Sequence, residues 1–352
     1  MKLLIVEFSS HFRIVTHLYK MFSKHFDVFL IMKQNVERTE IPNEKKIKIK
    51  NETLLYWKIL FTAHKYRYIY LSTGPEFREY IRNIPFLVGF LFLIIFYRDK
   101  IILQIRNIDQ YKFKWNICYI IRNLSLKLIK RITLDSKQMV SQFNKMYPYN
   151  KAYKSFVSFY YTDFIKPKYK EKTEKIAIGL IGINNYRKDY DLLLNILSKI
   201  DTSKFKLVVV GDCFTQEQIN IVNKLKNYVE VDYKEKQLSE EEFYMQAIKV
   251  DIFFSPLRKE LGYGITKETG NFGDAILYMK KIIIPKFVCE SGEFDKIAIY
   301  YENEKKLIEI FKNINDIDLS IPNDFIEKYK SDYIFNKLKR ELNLTNLFDF
   351  NN

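Results

Sequence analysis

Apolar strand-like runs alternate with helix-like runs along almost the whole chain, in two series separated by a stretch with neither period. That alternation restricts the fold more than any other feature. A strand followed by a helix and another strand packs as a parallel pair with a crossover, and a series of such units builds an open sheet covered on both faces. In the first series residues 3–8 read as an apolar strand, the helix after it runs through Lys24, and residues 27–32 form a second strand. Residues 68–72 and 101–105 are further core strands, and 132–134 is a short one ending at Asp135-Ser136, which cap a helix over 137–147. The stretch from Pro148 to Thr173 is rich in Tyr, Lys and Pro and shows little period. The second series then places strands at 176–181, 205–210, 229–231, 251–255 and 282–285, helices at 190–200, 240–248 and 273–279, and helical segments at 325–329 and 333–342.

The organisation expected is therefore an α/β protein of two Rossmann-like domains facing across a cleft. The first occupies residues 1–150, with a crossing at 151–173, a second domain at 174–320 and a helical tail at 321–352. A length of 352 residues suits two domains of roughly 150 residues each. In open sheets of this kind ligands bind outside the carboxyl ends of the strands, so the loops there are where chemistry is sought.

Lys and Arg number 58 against 42 Asp and Glu, a formal net charge of +16, which points to anionic partners. Nucleic acid is not expected among them: there is no Cys/His finger, no RNP-like aromatic strand and no basic heptad region. Cys118, Cys213 and Cys289 are odd in number, far apart and set in apolar runs, as buried thiols of a reducing compartment are. The histidines, His11, His17, His25 and His64, all fall in the first series, which excludes a His/Cys metal cage in the second. The opening MKLLIVEF enters a polar loop at Ser9-Ser10-His11 and reads as a core strand, not a signal peptide. Residues 84–97, IPFLVGFLFLIIFY, fall short of the roughly 20 needed to span a bilayer and are interrupted by Pro85 and Gly89; a buried helix is expected, a membrane-resting face being the alternative. Residues 115–131 mix Ile117, Ile120, Ile121, Leu124 and Leu128 with Arg122, Lys127, Lys130 and Arg131, which reads either as a basic face for an anionic leaflet or as a core helix with a wet basic side.

Neither a Gly-x-Gly-x-x-Gly after the first strand nor a P-loop occurs, and no Gly-x-Ser-x-Gly elbow exists. Two segments carry candidate chemistry. In IGLIGINNYRKDYDLLL (178–194) a strand ends at Gly182, a loop carries Asn184, Asn185, Arg187 and Lys188, and a helix follows. Two cations at a strand-to-helix turn can neutralise a diphosphate; as ordinary solvated loop charges they would do nothing. In DIFFSPLRKELGYGITKETGNFGDAILYMKKIIIP (251–285) a strand ends at Ser255-Pro256, a loop carries Glu260, Gly262, Tyr263 and Gly264, and Thr269-Gly270-Asn271 opens a helix. Thr269 or Asn271 is a natural cap there, Gly270 leaves room for a ligand, and the free amides of a helix N-terminus favour phosphate. Plain capping with a glycine-rich turn is the other reading, but Gly262, Gly264, Gly270 and Gly273 are four of the ten glycines in the chain.

The order of Gly182 with Arg187-Lys188-Asp189-Tyr190, then LVVVGD, then VDIFFSP, then the glycine-rich loop and helix, resembles the donor half of GT-B glycosyltransferases, above all the group-1 (family 4-like) branch. In the first half IILQIRN (101–107) is similar to that group's acceptor edge, and ITLDSKQM (132–139) to the last strand and helix of its first domain. The resemblance is a series of loose patterns covering most of the chain. It implies a hexosyl transfer from a nucleotide-sugar donor to a glycan or lipid-linked acceptor in bacterial surface polysaccharide synthesis, in the cytoplasm or on the inner membrane face. Configuration would be retained, and neither a cofactor nor a metal would be needed. By position Lys188 matches the lysine that contacts the donor diphosphate, with Arg187 beside it, and Gly182 and Asn184 line the same loop. Glu260 and Glu268 match the two glutamates of the family's Glu-x7-Glu pattern, Glu268 holding the donor ribose, while Thr269, Gly270 and Asn271 supply further donor contacts. Ser9, Ser10, His11 and Arg106 would face the acceptor, His11 as a contact, a base or a plain surface residue. The sequence departs from the family at Ile183, where an arginine is usual, and after Glu268, where the Ala-Met-Ala-x-Gly continuation is missing. Two other readings stand: a nucleotide-sugar epimerase on the same scaffold, and a non-catalytic protein of anionic membranes.

Overall fold

The computed structural model describes residues 1–7, 12–32, 40–47, 55–72, 84–111, 117–157, 174–184 and 186–344. They divide into two compact units, one of Met1–Asp163 with Ile265–Glu268 and Tyr329–Asn352, the other of Phe164–Gly264 with Thr269–Lys328.

The sheet of the first unit has six strands: β1 (Lys2–Glu7), β2 (Asp27–Met32), β3 (Tyr68–Leu71), β4 (Ile101–Gln104), β5 (Arg131–Leu134) and β6 (Tyr153–Phe156). All pair in parallel in the order β2-β1-β3-β4-β5-β6, with Leu3 opposite Val28 on one side and Tyr68 on the other. Parallel strands covered on both faces need apolar residues at nearly every position, and LLIV of β1 and IIL of β4 meet that demand. Side chains alternate between the faces. Leu4, Val6, Ile69, Leu71, Ile101, Leu103, Ile132 and Leu134 point into a layer made by α2 (Leu55–Thr62), α3 (Ile84–Tyr97), α4 (Ile117–Leu128) and α5 (Lys137–Met146). On the opposite face Tyr68 and Tyr70 meet Phe26 and Phe22 beside α1 (Phe12–Ser23), at ring-centroid distances of 5.9 and 5.4 Å.

The second unit repeats the plan with β7 (Ile176–Ile181), β8 (Phe205–Val210), β9 (Val231–Asp232), β10 (Ile252–Phe254), β11 (Lys281–Pro285) and β12 (Ala298–Tyr301), in the order β12-β11-β10-β7-β8-β9. Its helices are α6 (Tyr190–Leu197), α7 (Gln216–Lys226), α8 (Glu240–Lys249), α9 (Gly270–Leu277), α10 (Glu304–Lys312) and α11 (Asn323–Glu327). Leu193 and Ile196 of α6, Val222 and Leu225 of α7 and Leu307 and Phe311 of α10 share one core with Ile178, Leu180, Leu207 and Val209. Each such side chain contributes roughly 1.5–3 kcal/mol by leaving water. Thr215 with Gln218, and Ser239 with Glu242, close capping boxes that start α7 and α8 where their sequences direct.

The expected strands are present, with ends shifted by a residue or two. Five elements lie outside the sequence reading. Strand β6 falls within residues read as a crossing: it is an edge strand whose Tyr153 is exposed and whose Ser155 is buried, so no apolar run marks it. Strand β12 and helices α2, α7 and α10 are likewise short or lie between stronger signals. Of the tail, α11 lies in the second unit, whereas α12 (Ser331–Glu341) belongs to the first. There Phe335 stacks on His25 at 3.7 Å, and Arg131 Nε donates to Leu342 O at 2.9 Å.

Of the segment 115–131, the described residues 117–131 do not form one basic face. Arg122 is fully buried with its guanidinium over the Tyr119 ring, Arg131 lies on β5 with its side chain turned inward, and Lys130 pairs with Asp99 at 2.5 Å. The three cysteines are buried thiols that form no disulfide, as their apolar settings imply.

Both sheets reverse direction beside their first strand. The chain runs from β1 to β2 on one side and resumes at β3 on the other; from β7 it runs through β8 and β9, then resumes at β10. The carboxyl ends of β1 and β3, and of β7 and β10, therefore flank the crevices where α/β sheets take ligands.

Candidate functional site

At the crevice of the second unit the loop after β7 begins with Gly182, whose φ of +66° is open to glycine at no steric penalty. Gly182 N donates to Val210 O at 2.8 Å, and its carbonyl accepts from Tyr190 Oη at 3.0 Å. A side chain at Gly211 would stand 3.1 Å from Gly182 Cα, so the loops after β7 and β8 touch at two glycines. Asn184, exposed, turns the chain: its carbonyl accepts from Arg187 N at 3.1 Å and Lys188 N at 3.0 Å. Asn185 lies outside the described residues.

This loop is joined to the one after β10. Asp189 N donates to Pro256 O at 2.6 Å, Arg258 N to Arg187 O at 3.1 Å, and Arg258 Nε to Lys188 O at 3.2 Å. The joining places two cations differently. Arg187 is exposed, with its guanidinium at the hydroxyl of Tyr263, whose pKa is pushed up by burial and held back by that cation. Lys188 is 5% exposed and its Nζ donates to the Ile181 carbonyl. Burial pulls its pKa down to about 7, against the attraction of the Asp274 carboxylate, while Arg187 adds to the lowering.

Helix α9 opens at Gly270, where the sequence reading has Thr269-Gly270-Asn271 open a helix and three residues before the helical run at 273, and Thr269 caps it: Thr269 Oγ1 accepts from Asn271 N at 3.3 Å. Asn271 Nδ2 donates to the buried Ser255 Oγ at the end of β10, anchoring the helix start to the sheet. Nothing stands within 4 Å of where a Gly270 side chain would begin, and the Gly270 amide has no partner among the described residues. Among the described residues the approach to the helix N-terminus is open. Glu260 sits exposed in the short turn Lys259–Leu261, which Gly262 ends with a φ of +75°. Gly264, at φ +74°, packs against the carbonyls of Phe287 and Val288 and admits no side chain.

Gly182, Asn184, Arg187, Lys188, Glu260, Thr269, Gly270 and Asn271 thus all belong to the second unit. Glu268 is buried and clusters with the first, in the segment where Thr266 O accepts from Ile108 N at 2.8 Å. Asp274 and Ser255 were missed by sequence reasoning. An acid facing inward on α9 is a usable signal once the helix start is known; Ser255 carries none.

The first unit has its own polar edge. Arg106, just beyond β4, donates from Nε to Ser72 O at 3.0 Å and from Nη2 to Ser72 Oγ at 2.8 Å and Glu7 Oε2 at 3.3 Å. Ser72 Oγ donates to the same Glu7 oxygen at 2.7 Å. Beneath it Tyr70 Oη contacts Gln104 Oε1 at 3.2 Å and Thr133 Oγ1 at 3.0 Å, and Gln104 Nε2 donates to Asp135 Oδ1 at 2.7 Å. Burial raises Asp135 to about 6 although Arg106 draws it down. Glu7 was also missed, though a lone acid closing the run KLLIVE is its mark. Ser9, Ser10 and His11 lie outside the described residues.

Two Asp-x-Asp triplets occur, Asp189-Tyr190-Asp191 and Asp316-Ile317-Asp318, and both are engaged. Asp189 caps α6, Arg258 lies 4.0 Å from Asp189 and 3.8 Å from Asp191, and Asp318 accepts from Ser320 N at 2.9 Å and Oγ at 2.8 Å.

No protein-family model matches the chain, and no curated protein matches its sequence. Solved structures do. HepE of Anabaena in complex with UDP is 13% identical with a TM-score of 0.68, over 99% of this chain and 100% of that one. A glycosyltransferase from Rickettsia africae is 12% identical with a TM-score of 0.61, over 100% of both chains. A protein of Listeria monocytogenes assigned as a UDP-N-acetylglucosamine 2-epimerase is 11% identical with a TM-score of 0.53, over 99% of this chain and 97% of that one. With two parallel six-stranded sheets matched end to end, the chain has the fold of the GT-B glycosyltransferases.

Proposed function

We propose that this chain is a glycosyltransferase that takes a sugar from a nucleotide-sugar donor held by its second unit and passes it to a glycan or lipid-linked acceptor, in the synthesis of a bacterial surface polysaccharide. The observation that carries the reading is the open N-terminus of α9 in the same unit as the joined loops of Arg187 and Lys188. A helix start with a free amide and two cations fits a diphosphate in both charge and hydrogen-bonding. HepE, which shares the fold, has been crystallised with UDP and with UDP-glucose, and a uridine nucleotide is accordingly the first donor to test.

In this reading the bond from the anomeric carbon to the diphosphate oxygen breaks while one to the acceptor oxygen forms on the same face. The acceptor's proton passes to the leaving diphosphate. Arg187, Lys188 and the amide at Gly270, beside Asn271 whose own amide is held by the Thr269 cap, stabilise the charge that develops there, and terms of this kind are usually the largest in such catalysis. Glu260 faces the sugar, Gly182 and Asn184 line the donor loop, Glu268 and Thr269 complete the nucleotide contacts, and Arg106, with the 9–11 loop, meets the acceptor. The residues carry the charge themselves, so the reading calls for no metal and no cofactor, and it places the enzyme in the cytoplasm.

The Listeria match gives a second reading, an epimerase acting on the donor alone. A thermal-shift screen against UDP, GDP, CMP, ADP and their sugars, repeated on Arg187→Ala/Lys188→Ala, tests the donor site, because a ligand of the folded state raises its melting temperature. A shift with one nucleotide that disappears in the double variant supports the site; no shift with any nucleotide overturns it. Chromatography of the sugar after incubation then separates transfer from epimerisation.

A further inference from the structure

Helices α2, α3 and α4 lie side by side in one layer on the first unit's sheet, and their outward sides are apolar. On α3 the core side carries Phe86, Leu87, Phe90, Leu93 and Ile94, yet the opposite stripe is Ile84, Phe92, Ile95 and Phe96, with Phe96 66% exposed. A helix apolar all round is ordinarily enclosed on all sides. On α4 the core side carries Cys118, Ile121 and Leu126, yet apolar side chains also lie on the outer side. Ile117, Ile120 and Leu124 face out, while Arg122, Asn123 and Ser125 are buried. Phe61 of α2, 72% exposed, lies one turn from Trp57, whose ring meets Phe92 at 5.7 Å; Phe92 in turn stacks with Phe96 at 6.1 Å. Three helices thus present one outward surface of aromatic and branched side chains, and large contiguous apolar surfaces mark places where something binds.

Charge identifies the occupant. None of the three helices contains an Asp or Glu, and their charged residues, Lys58, Arg122 and Lys127, are all basic. Exposed Lys65 and Arg98 follow α2 and α3 closely. Clustered aromatics with a cationic rim suit the headgroup boundary of a bilayer, where rings insert shallowly and lysines meet anionic lipid. Spanning is excluded for α3: its 14 residues measure about 21 Å at 1.5 Å each, against about 30 Å of hydrocarbon. Among the described residues no helix is long and apolar enough to cross a membrane.

We infer that the outer faces of α2, α3 and α4 form a docking surface for an anionic lipid bilayer, with Phe61, Phe92 and Phe96 inserting at the headgroup level and Lys58 and Lys127 pairing with lipid phosphates. The inference needs no nucleotide site and is tested without nucleotide. The full chain is sedimented with phosphatidylcholine vesicles and with vesicles containing phosphatidylglycerol, at low and high salt. Binding is expected to the anionic vesicles and to weaken with salt. Phe61→Ser/Phe92→Ser/Phe96→Ser should lower the partition coefficient at least about 10-fold, with the melting temperature preserved because these rings are exposed. Lys58→Glu/Lys127→Glu, which leaves the rings in place, should abolish the preference for anionic lipid. Failure of the unaltered chain to bind anionic vesicles overturns the proposal, as does unchanged binding by both variants. A chain that is dimeric in sedimentation velocity and becomes monomeric on the triple substitution also overturns it, by assigning the face to a second copy.

Discussion

Arg106 reaches across β3 to Glu7, Nη2 to Oε2 at 3.3 Å, with 10% of its side chain exposed and none of the glutamate's. Ser72, at the end of the strand between them, binds both partners. The three residues tie together the carboxyl ends of β1, β3 and β4 at the point where the first sheet reverses, and so hold rigid the edge that the proposed acceptor approaches. A buried pair of this kind is far more sensitive to losing one partner than to losing both.

Arg106→Met is therefore expected to lower stability by up to roughly 3–5 kcal/mol, since it removes a cation from a buried carboxylate. Glu7→Gln/Arg106→Met should recover part of that loss. Urea denaturation of the two singles and the double closes the cycle; a double variant equal to the sum of the singles would refute the coupling.

Asp135 makes stability depend on pH. Its pKa rises from the ordinary 3.8 to about 6 in the folded chain, so between these values the folded state holds the proton and the unfolded state does not. Stability accordingly falls as pH rises through that window and stays lower above it, by on the order of 2–3 kcal/mol. Asp135→Asn keeps an oxygen for Gln104 and removes the titration. Its melting temperature should match the unaltered chain near pH 4 and exceed it at pH 8.

Lys188 gives the opposite slope. With its pKa lowered to about 7, the folded state has released a proton that the unfolded chain keeps up to 10.5, so this residue adds stability as pH rises from 7. A bound diphosphate would draw the proton back. Calorimetry of UDP binding at pH 8 in buffers of different ionisation enthalpy should show proton uptake, and Lys188→Met should abolish it. Uptake that survives the substitution would assign the proton elsewhere.

Two glycines separate fold from binding. Gly264→Ala forces a side chain onto the Phe287 and Val288 carbonyls at a positive φ, and a loss of at least about 2 kcal/mol is expected. Gly270→Ala meets open space at the first turn of a helix and should leave the melting temperature within about 0.5 kcal/mol in stability terms. In the same variant the methyl group stands where the donor phosphate is proposed to lie, and UDP affinity should drop.

The sequence alone determined the kinds of elements and their order. IAIGLI and FKLVVV are strands because their apolar residues cover both faces, and Ser136 and Ser239 start helices because their side chains satisfy free amides one turn on. It also located the loops at Gly182–Lys188 and Thr269–Asn271, since such signals are local. Tertiary structure alone decided which faces are wet and which charges meet. Glu7 and Arg106 stand 99 residues apart, Lys188 reads as a loop cation until the chain folds over its ammonium, and nothing in the period of ICYIIRNLSLKL tells that Ile117 and Ile120 face out while Ile121 and Arg122 face in. A period records which side chains share a face of an element, whereas the neighbour that covers that face, and hence its solvation and charge, is set by residues far away in the chain.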